Sequence, residues 1–443
     1  MGWIMRLRRQ AAPFVMIVAF VSLVAAGCTS GPVKRAEHSP PPPPIPKIAV
    51  TPAGNAKDVP VSAEIGAQIT DGKIASVSLS DAKGTKVDGA MREDGSTWVP
   101  SKPLKDKQTY TAQITATNDK GGTATQTTTF TTMAEPGRQT DTTLYFRGGQ
   151  TYGVAMPVTV AFDPPVSKQA RADVQRRLFV TTDPPQPGVW HWIKDGSQVY
   201  YRAREFWQPG TKIKVRSALE GLPMGKGSYG DEDTTASATI ADSKVTMEVD
   251  NKTKQMSVFK NDKLVRKIPV SLGKSSTPTS SGKMVVMEKF DTTVFDTRGS
   301  ADPYVVTVHD AQRLTWGGEF IHSAPWSVGD QGVRNVSHGC TNVSPRDAAY
   351  LMRITHVGDL VEFKNTEVKL DPGNGWTAWN LSWDEYIKGS ALPVPEELKS
   401  APKPAPSTSG PASGAPSTSS PPPASSAPPA TNPPRVAPSN AGR

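Results

Sequence analysis

The residues best equipped for chemistry lie in one short run, Ser337-His338-Gly339-Cys340-Thr341-Asn342, with a further histidine, His322, 18 residues upstream of the cysteine. A thiol is a weak nucleophile until it loses its proton, and a free cysteine holds it up to a pH of about 8.5. A nearby imidazole can take that proton, which makes His322 and His338 the candidate bases for Cys340. Gly339 lets the backbone approach a substrate closely. The amides of Gly339, Cys340 and Thr341 could face the oxyanion that develops in acyl transfer, and the Asn342 side chain offers another donor. Two other readings of Cys340 stand beside the nucleophile. It could be an inert buried thiol, since free cysteine packs as a small hydrophobe. It could also ligate zinc with the two histidines, although no Cys-x-x-Cys or other recognisable ligand spacing is present.

The rest of the chain says where such a site would work. Arg6, Arg8 and Arg9 precede an uncharged apolar stretch, Ala11–Gly27, and then Cys28. This is the pattern of an export signal over residues 1–27. "LVAAGC" places Cys28 where a bacterial lipoprotein carries its lipid. An uncleaved anchor is the alternative, but the stretch is short for a spanning helix. Either way the body is expected to lie outside the cytoplasm, held at the membrane. Exported proteins use cysteines mostly in pairs. A lipidated Cys28 therefore leaves Cys340 without a disulfide partner, as expected of a thiol kept for its reactivity. Residues 28–46 form a linker stiffened by Pro40–Pro44. The net charge is +9, with no nucleic-acid motif and no dense Lys/Arg run. Anionic lipid headgroups or cell-wall polymers fit that balance, as does a merely solvated surface.

The 443 residues suggest two or three domains. Residues 47–132 read as an all-β unit of immunoglobulin-like size. In "YTAQITAT", Tyr110, Ala112, Ile114 and Ala116 share one face by strict alternation. Residues 140–241 form a second β-rich unit, with Val158, Val160 and Phe162 on one face and a hairpin turning at Asp195-Gly196. A third unit, residues 243–365, opens with strands at Val245–Val249, Met256–Phe259 and Leu264–Leu272. After the cysteine run, Ser344 caps a helix with Pro345 at its first position and Asp347 three residues past the cap. Asp359–Lys364 closes the unit as a strand. Residues 366–392, with Trp376, Trp379 and Trp383, are expected to pack on the third unit. Residues 393–443, rich in Pro, Ser and Ala, form a disordered tail. The fold class is therefore mainly β.

"HSAPWSVGDQGVRNVSHGCTNVSP" closely resembles the active-site signature of the L,D-transpeptidases, peptidoglycan cross-linking enzymes of the YkuD fold. "VSLGKSSTPTSSGKM" (Val270–Met284) resembles the same domain, and the order of parts resembles the lipoprotein type found in mycobacteria. The resemblance implies two immunoglobulin-like β-sandwich domains before a mainly-β catalytic domain. It implies that Cys340 is the nucleophile and His322 the base, oriented by the backbone carbonyl of Ser323. His338 and Gly339 would complete the catalytic set. Tyr304, Trp326, Ser337 and Asn342 would line the substrate site, and residues 293–302 would form a flap over it. The implied reaction releases D-alanine from a tetrapeptide stem. A diamino acid of a neighbouring stem then resolves the thioester and links two third-position residues. No metal or organic cofactor is implied, and carbapenem β-lactams are implied as covalent inhibitors. An L,D-carboxypeptidase or endopeptidase using the same residues, and a non-catalytic wall-binding lipoprotein, remain the competing functions.

Overall fold

Six sheets make up three successive β units. The structure, a computed structural model, describes residues 44–299 and 303–399. The expected signal peptide, Cys28, most of the linker and the tail beyond 399 lie outside the described residues.

The first unit is two four-stranded sheets face to face. Its longest hairpin pairs Thr109–Thr117 with Thr123–Thr132. Tyr110, Ala112, Ile114 and Ala116 are all buried, as their alternation requires. The second unit packs a four-stranded sheet against a six-stranded one. Its hairpin pairs Gly188–Trp192 with Gln198–Ala203, and Gly196 turns it at a φ of +84°. That positive φ is the reason for glycine there.

The third unit carries the site. Val245–Asp250, Gln255–Lys260 and Lys263–Pro269 form an antiparallel meander. Asn261 and Asp262 both take positive φ in its turn, the pattern of a two-residue hairpin. Leu360–Lys364 joins the other side of Val245–Asp250 in parallel. The third strand ends at Pro269 and not at Leu272 as its apolar run suggests. Residues beyond it leave the sheet, and Ser271 exchanges backbone hydrogen bonds with Asn342 in the cysteine segment. The second sheet of this unit runs Glu288–Asp296, Val305–Arg313, Phe320–Ser323, Thr341–Val343. Helix Pro345–Ile354 follows directly, with the Ser344 side chain accepting from the Asp347 N–H. It buries Ala348 and Leu351 against both sheets' core.

The C-terminal piece departs from expectation. Trp376 and Trp383 belong to the core of the second unit, together with Val285, Met287 and Leu360 of the third. The Trp379 indole N–H donates to the Ala155 carbonyl at 2.7 Å, and the Tyr386 hydroxyl to the Tyr200 carbonyl at 2.7 Å. The guanidinium of Arg202 lies 4.2 Å from the ring centres of Trp379 and Tyr386. Three tryptophans in one short segment signal packing without naming the partner, and here the principal partner is the second unit. Order also continues past 393. Glu396–Lys399 is helical, and the Leu398 carbonyl accepts from Trp383 Nε1 at 2.7 Å.

Candidate active site

Cys340 stands immediately before the strand Thr341–Val343. That strand runs parallel to Phe320–Ser323, with His322 opposite Asn342. Paired residues of neighbouring strands point the same way, and side chains alternate along a strand. Cys340, Asn342 and His322 therefore share a face.

His322 is 4% exposed, and its Nδ1 lies 2.9 Å from the Ser323 carbonyl. A carbonyl oxygen can only accept, so Nδ1 carries the hydrogen and Nε2 presents a lone pair. Burial holds the imidazole below the ordinary histidine range, against the opposing pull of the Ser323 carbonyl. A base that is neutral at neutral pH, with its lone pair already on the correct nitrogen, is what deprotonation of a thiol needs. Phe295 meets the ring edge-on with centroids 5.3 Å apart, and Trp326 lies 6.0 Å away on the exposed side.

The Cys340 thiol is 6% exposed and directed at the Gly318 carbonyl, 3.5 Å from Sγ. Burial pushes it up to about 12, with the Phe320 N–H favouring the thiolate and the Glu319 charge opposing it. The thiol form is favoured at rest, and a thiol so held needs a base to become a nucleophile.

The loop before the cysteine is tied internally. Ser337 Oγ donates to the Cys340 carbonyl at 2.6 Å and accepts from the Gly339 N–H at 3.2 Å. The Gly339 amide is thus committed to the loop and is not the oxyanion donor expected from its position. Gly339 takes a φ of +125°, and an added β-carbon would meet only Glu319 Cγ, at 3.9 Å. Glycine is needed here for its dihedral and not for close packing. The Gly339 carbonyl accepts from Thr279 Oγ1 at 2.7 Å, and that hydroxyl in turn accepts from the Gly273 N–H at 2.9 Å.

The other expected site residues fall into two groups. Asn342 is 2% exposed and gives an amide hydrogen to Ser327 Oγ at 3.0 Å. It fastens the turn Pro325–Ser327, which carries Trp326. Ser337 is likewise buried and acts within the loop. His338 is exposed, 4.6 Å from the Tyr304 ring, with Lys274 Nζ at 3.2 Å from its Nε2. His338 and Trp326 are exposed and Tyr304 is half-buried, whereas His322 and Cys340 are buried. The expected flap falls on the paired strands Glu288–Asp296 and Val305–Arg313, and residues 300–302 between them lie outside the described residues.

Phe295, Ser327 and Glu319 are contributors that sequence reasoning missed. Glu319 Oε1 accepts from the Ser280 N–H at 2.7 Å, its Oε2 is buried without a partner, and burial raises its carboxyl above the usual range. A charge at the head of the otherwise buried strand "FIHS" was the one available sign. Among the described residues no grouping of three or more His, Cys, Asp or Glu side chains could hold a metal ion.

Comparison with known proteins agrees with this architecture. The family model for a bacterial Ig domain matches residues 56–223, spanning from the first β unit into the second. The model for an L,D-transpeptidase catalytic domain matches residues 244–363. The chain is 33% identical to L,D-transpeptidase 2 of Mycobacterium tuberculosis over 354 residues, which is 78% of this chain and 85% of that protein. It is 33% identical to L,D-transpeptidase 5 of Mycobacterium tuberculosis over 392 residues, 86% of this chain and 84% of that protein. A solved structure of an L,D-transpeptidase in complex with imipenem is 32% identical and covers 50% of this chain and 97% of that one, with a TM-score of 0.41.

Proposed function

The chain belongs to the L,D-transpeptidase family, and from that premise we propose that it cross-links peptidoglycan stems through a thioester on Cys340. The observation that carries the reading is the Nδ1–H of His322 on the Ser323 carbonyl, which leaves Nε2 as the base on the face shared with Cys340. In the first step His322 Nε2 takes the Sγ proton. The sulfur attacks the carbonyl of the third residue of a tetrapeptide stem, and the amide bond to the terminal D-alanine breaks. The proton on His322 passes to the departing amine, so D-alanine leaves neutral at nitrogen. In the second step the side-chain amine of a diamino acid on a neighbouring stem attacks the thioester carbonyl. The C–S bond breaks, and the amine's surplus proton returns through His322 to the sulfur. The product is an amide between two third-position residues, and Cys340 is again a thiol.

The surrounding aromatics suit this substrate class. Tyr304 packs on His338, and Trp326 stands by His322, flat side chains of the kind that flank an extended peptide. A strained β-lactam carbonyl can enter the same first step, which makes carbapenems covalent probes of Cys340.

Incubation of the purified protein with a disaccharide-tetrapeptide, followed by mass analysis, tests the proposal. A dimer together with free D-alanine is the expected result, and Cys340→Ala abolishes both. D-Alanine without dimer would assign the chain as a carboxypeptidase. Neither product would sink the reading altogether.

A further inference from the structure

We infer that Thr279 is a positioning residue for the oxyanion site: its hydroxyl locks the Gly339–Cys340 peptide so that the Cys340 N–H faces the substrate carbonyl. The inference rests on Cys340 being the nucleophile, as proposed above.

Two of the amides around the cysteine are already committed. Gly339 N–H is bonded to Ser337 Oγ, and Asn342 N–H to the Ser271 carbonyl. The Cys340 N–H is the donor whose direction must be set, and that direction is set from its own peptide unit. A trans peptide is planar, with its C=O and N–H pointing opposite ways. The Gly339–Cys340 bond is trans, since the cis bonds among the described residues all precede proline. Thr279 Oγ1 holds the Gly339 oxygen at 2.7 Å. The Cys340 N–H must then point away from the 273–279 loop, the side on which the proposal places the carbonyl attacked by Sγ.

The hold is firm because the hydroxyl is bonded on both sides. It donates to the Gly339 carbonyl and accepts from the Gly273 N–H at 2.9 Å, in a residue 2% exposed. The loop closes tightly on Gly273, where an added β-carbon would lie 2.2 Å from the Thr277 carbonyl. On its other side the backbone is pinned by Glu319 Oε1 on the Ser280 N–H at 2.7 Å. Without the hydroxyl the Gly339 carbonyl is free to rotate, and the Cys340 N–H turns with it. Preorganised donors of this kind contribute through the transition state, where charge appears on oxygen.

The test separates an oxyanion role from a general structural one. Acylation by a carbapenem or by the tetrapeptide donor passes through an oxyanion, whereas alkylation of the same sulfur by iodoacetamide does not. Thr279→Val keeps the shape and removes the hydroxyl. It is expected to slow carbapenem acylation and kcat for D-alanine release by roughly ten- to a hundredfold. KM and the alkylation rate should stay within about twofold, and Thr279→Ser should restore most of the acylation rate. If Thr279→Val does not fold, Thr279→Ala against Thr279→Ser supplies the same comparison. An equal loss in alkylation and acylation overturns the inference, as does acylation at the wild-type rate. Failure of the wild-type protein to be acylated at Cys340 by either reagent would instead overturn the reading on which it rests.

Discussion

A thiol pushed up to about 12 by burial and an imidazole held below its usual range make a resting pair in which both partners are uncharged. The pH dependence of the site follows from that pair. In the proposed mechanism His322 works as a base only while neutral, so kcat/KM should fall as pH drops through a value below 6.5. Cys340 without substrate should react slowly with iodoacetamide at neutral pH and faster well above the pH of about 8.5 at which a free cysteine ionises. A plateau of alkylation already present near pH 7 would show a preformed thiolate–imidazolium pair and exclude the neutral one. At this scale much is legible in the sequence. The pairing of His322 with Cys340 and the use of the Ser323 carbonyl are carried by the signature residues. The commitments of the Gly339 N–H to Ser337 and of the Asn342 amide to Ser327 are not, because each is a choice among several equally good partners.

At the scale of elements, the helix Pro345–Ile354 braces the segment on which Cys340 and Asn342 sit. Ser344 Oγ accepts from the Asp347 N–H at 3.2 Å and donates to Asp347 Oδ2 at 2.6 Å. The Asp347 carboxylate also pairs with Arg266. Removing the cap by Ser344→Ala should cost about 1 kcal/mol in urea unfolding, and Ser344→Thr, which keeps a hydroxyl that can both accept and donate, should recover most of it. A loss unchanged by the threonine would mean that the position matters through something other than its hydroxyl. This helix was readable because a cap, a proline and an acidic third position act within one turn. The third strand's early end at Pro269 was less so. The apolar run Val270–Leu272 reads as more strand, yet Ser271 pairs with Asn342, which lies far along the chain.

At the scale of the whole molecule, the second β unit and the catalytic unit share one apolar core, closed by the C-terminal tryptophans. The first unit keeps a core of its own, with Tyr229 of the second packed against it and Glu64 meeting Arg177 of the second through an ion pair at 2.5 Å. The joint core predicts that the second and third units unfold together. Trp383→Ala should lower that shared calorimetric transition, with a loss of about 3–5 kcal/mol for a buried tryptophan. It should leave the melting of the first unit in place. Fraying of residues 366–399 with the shared transition unmoved would count against the joint core. Composition alone could not assign this docking, since a tryptophan-rich segment is suited to any apolar face.

What the sequence by itself determined is what depends on near neighbours. This includes the alternation that makes the strands, the cap that starts the helix, and the His322–Cys340 signature with the reaction class it implies. The tertiary structure alone decided which way the peptide units around Cys340 point, which surface receives the tryptophans, and that Phe295 walls the base. The physical reason is range. Thr279 reaches Gly339 across 60 residues of chain, and Trp379 reaches Ala155 across 224. A hydrogen bond or a packed ring at such separation is chosen by the fold from many candidates of equal local merit.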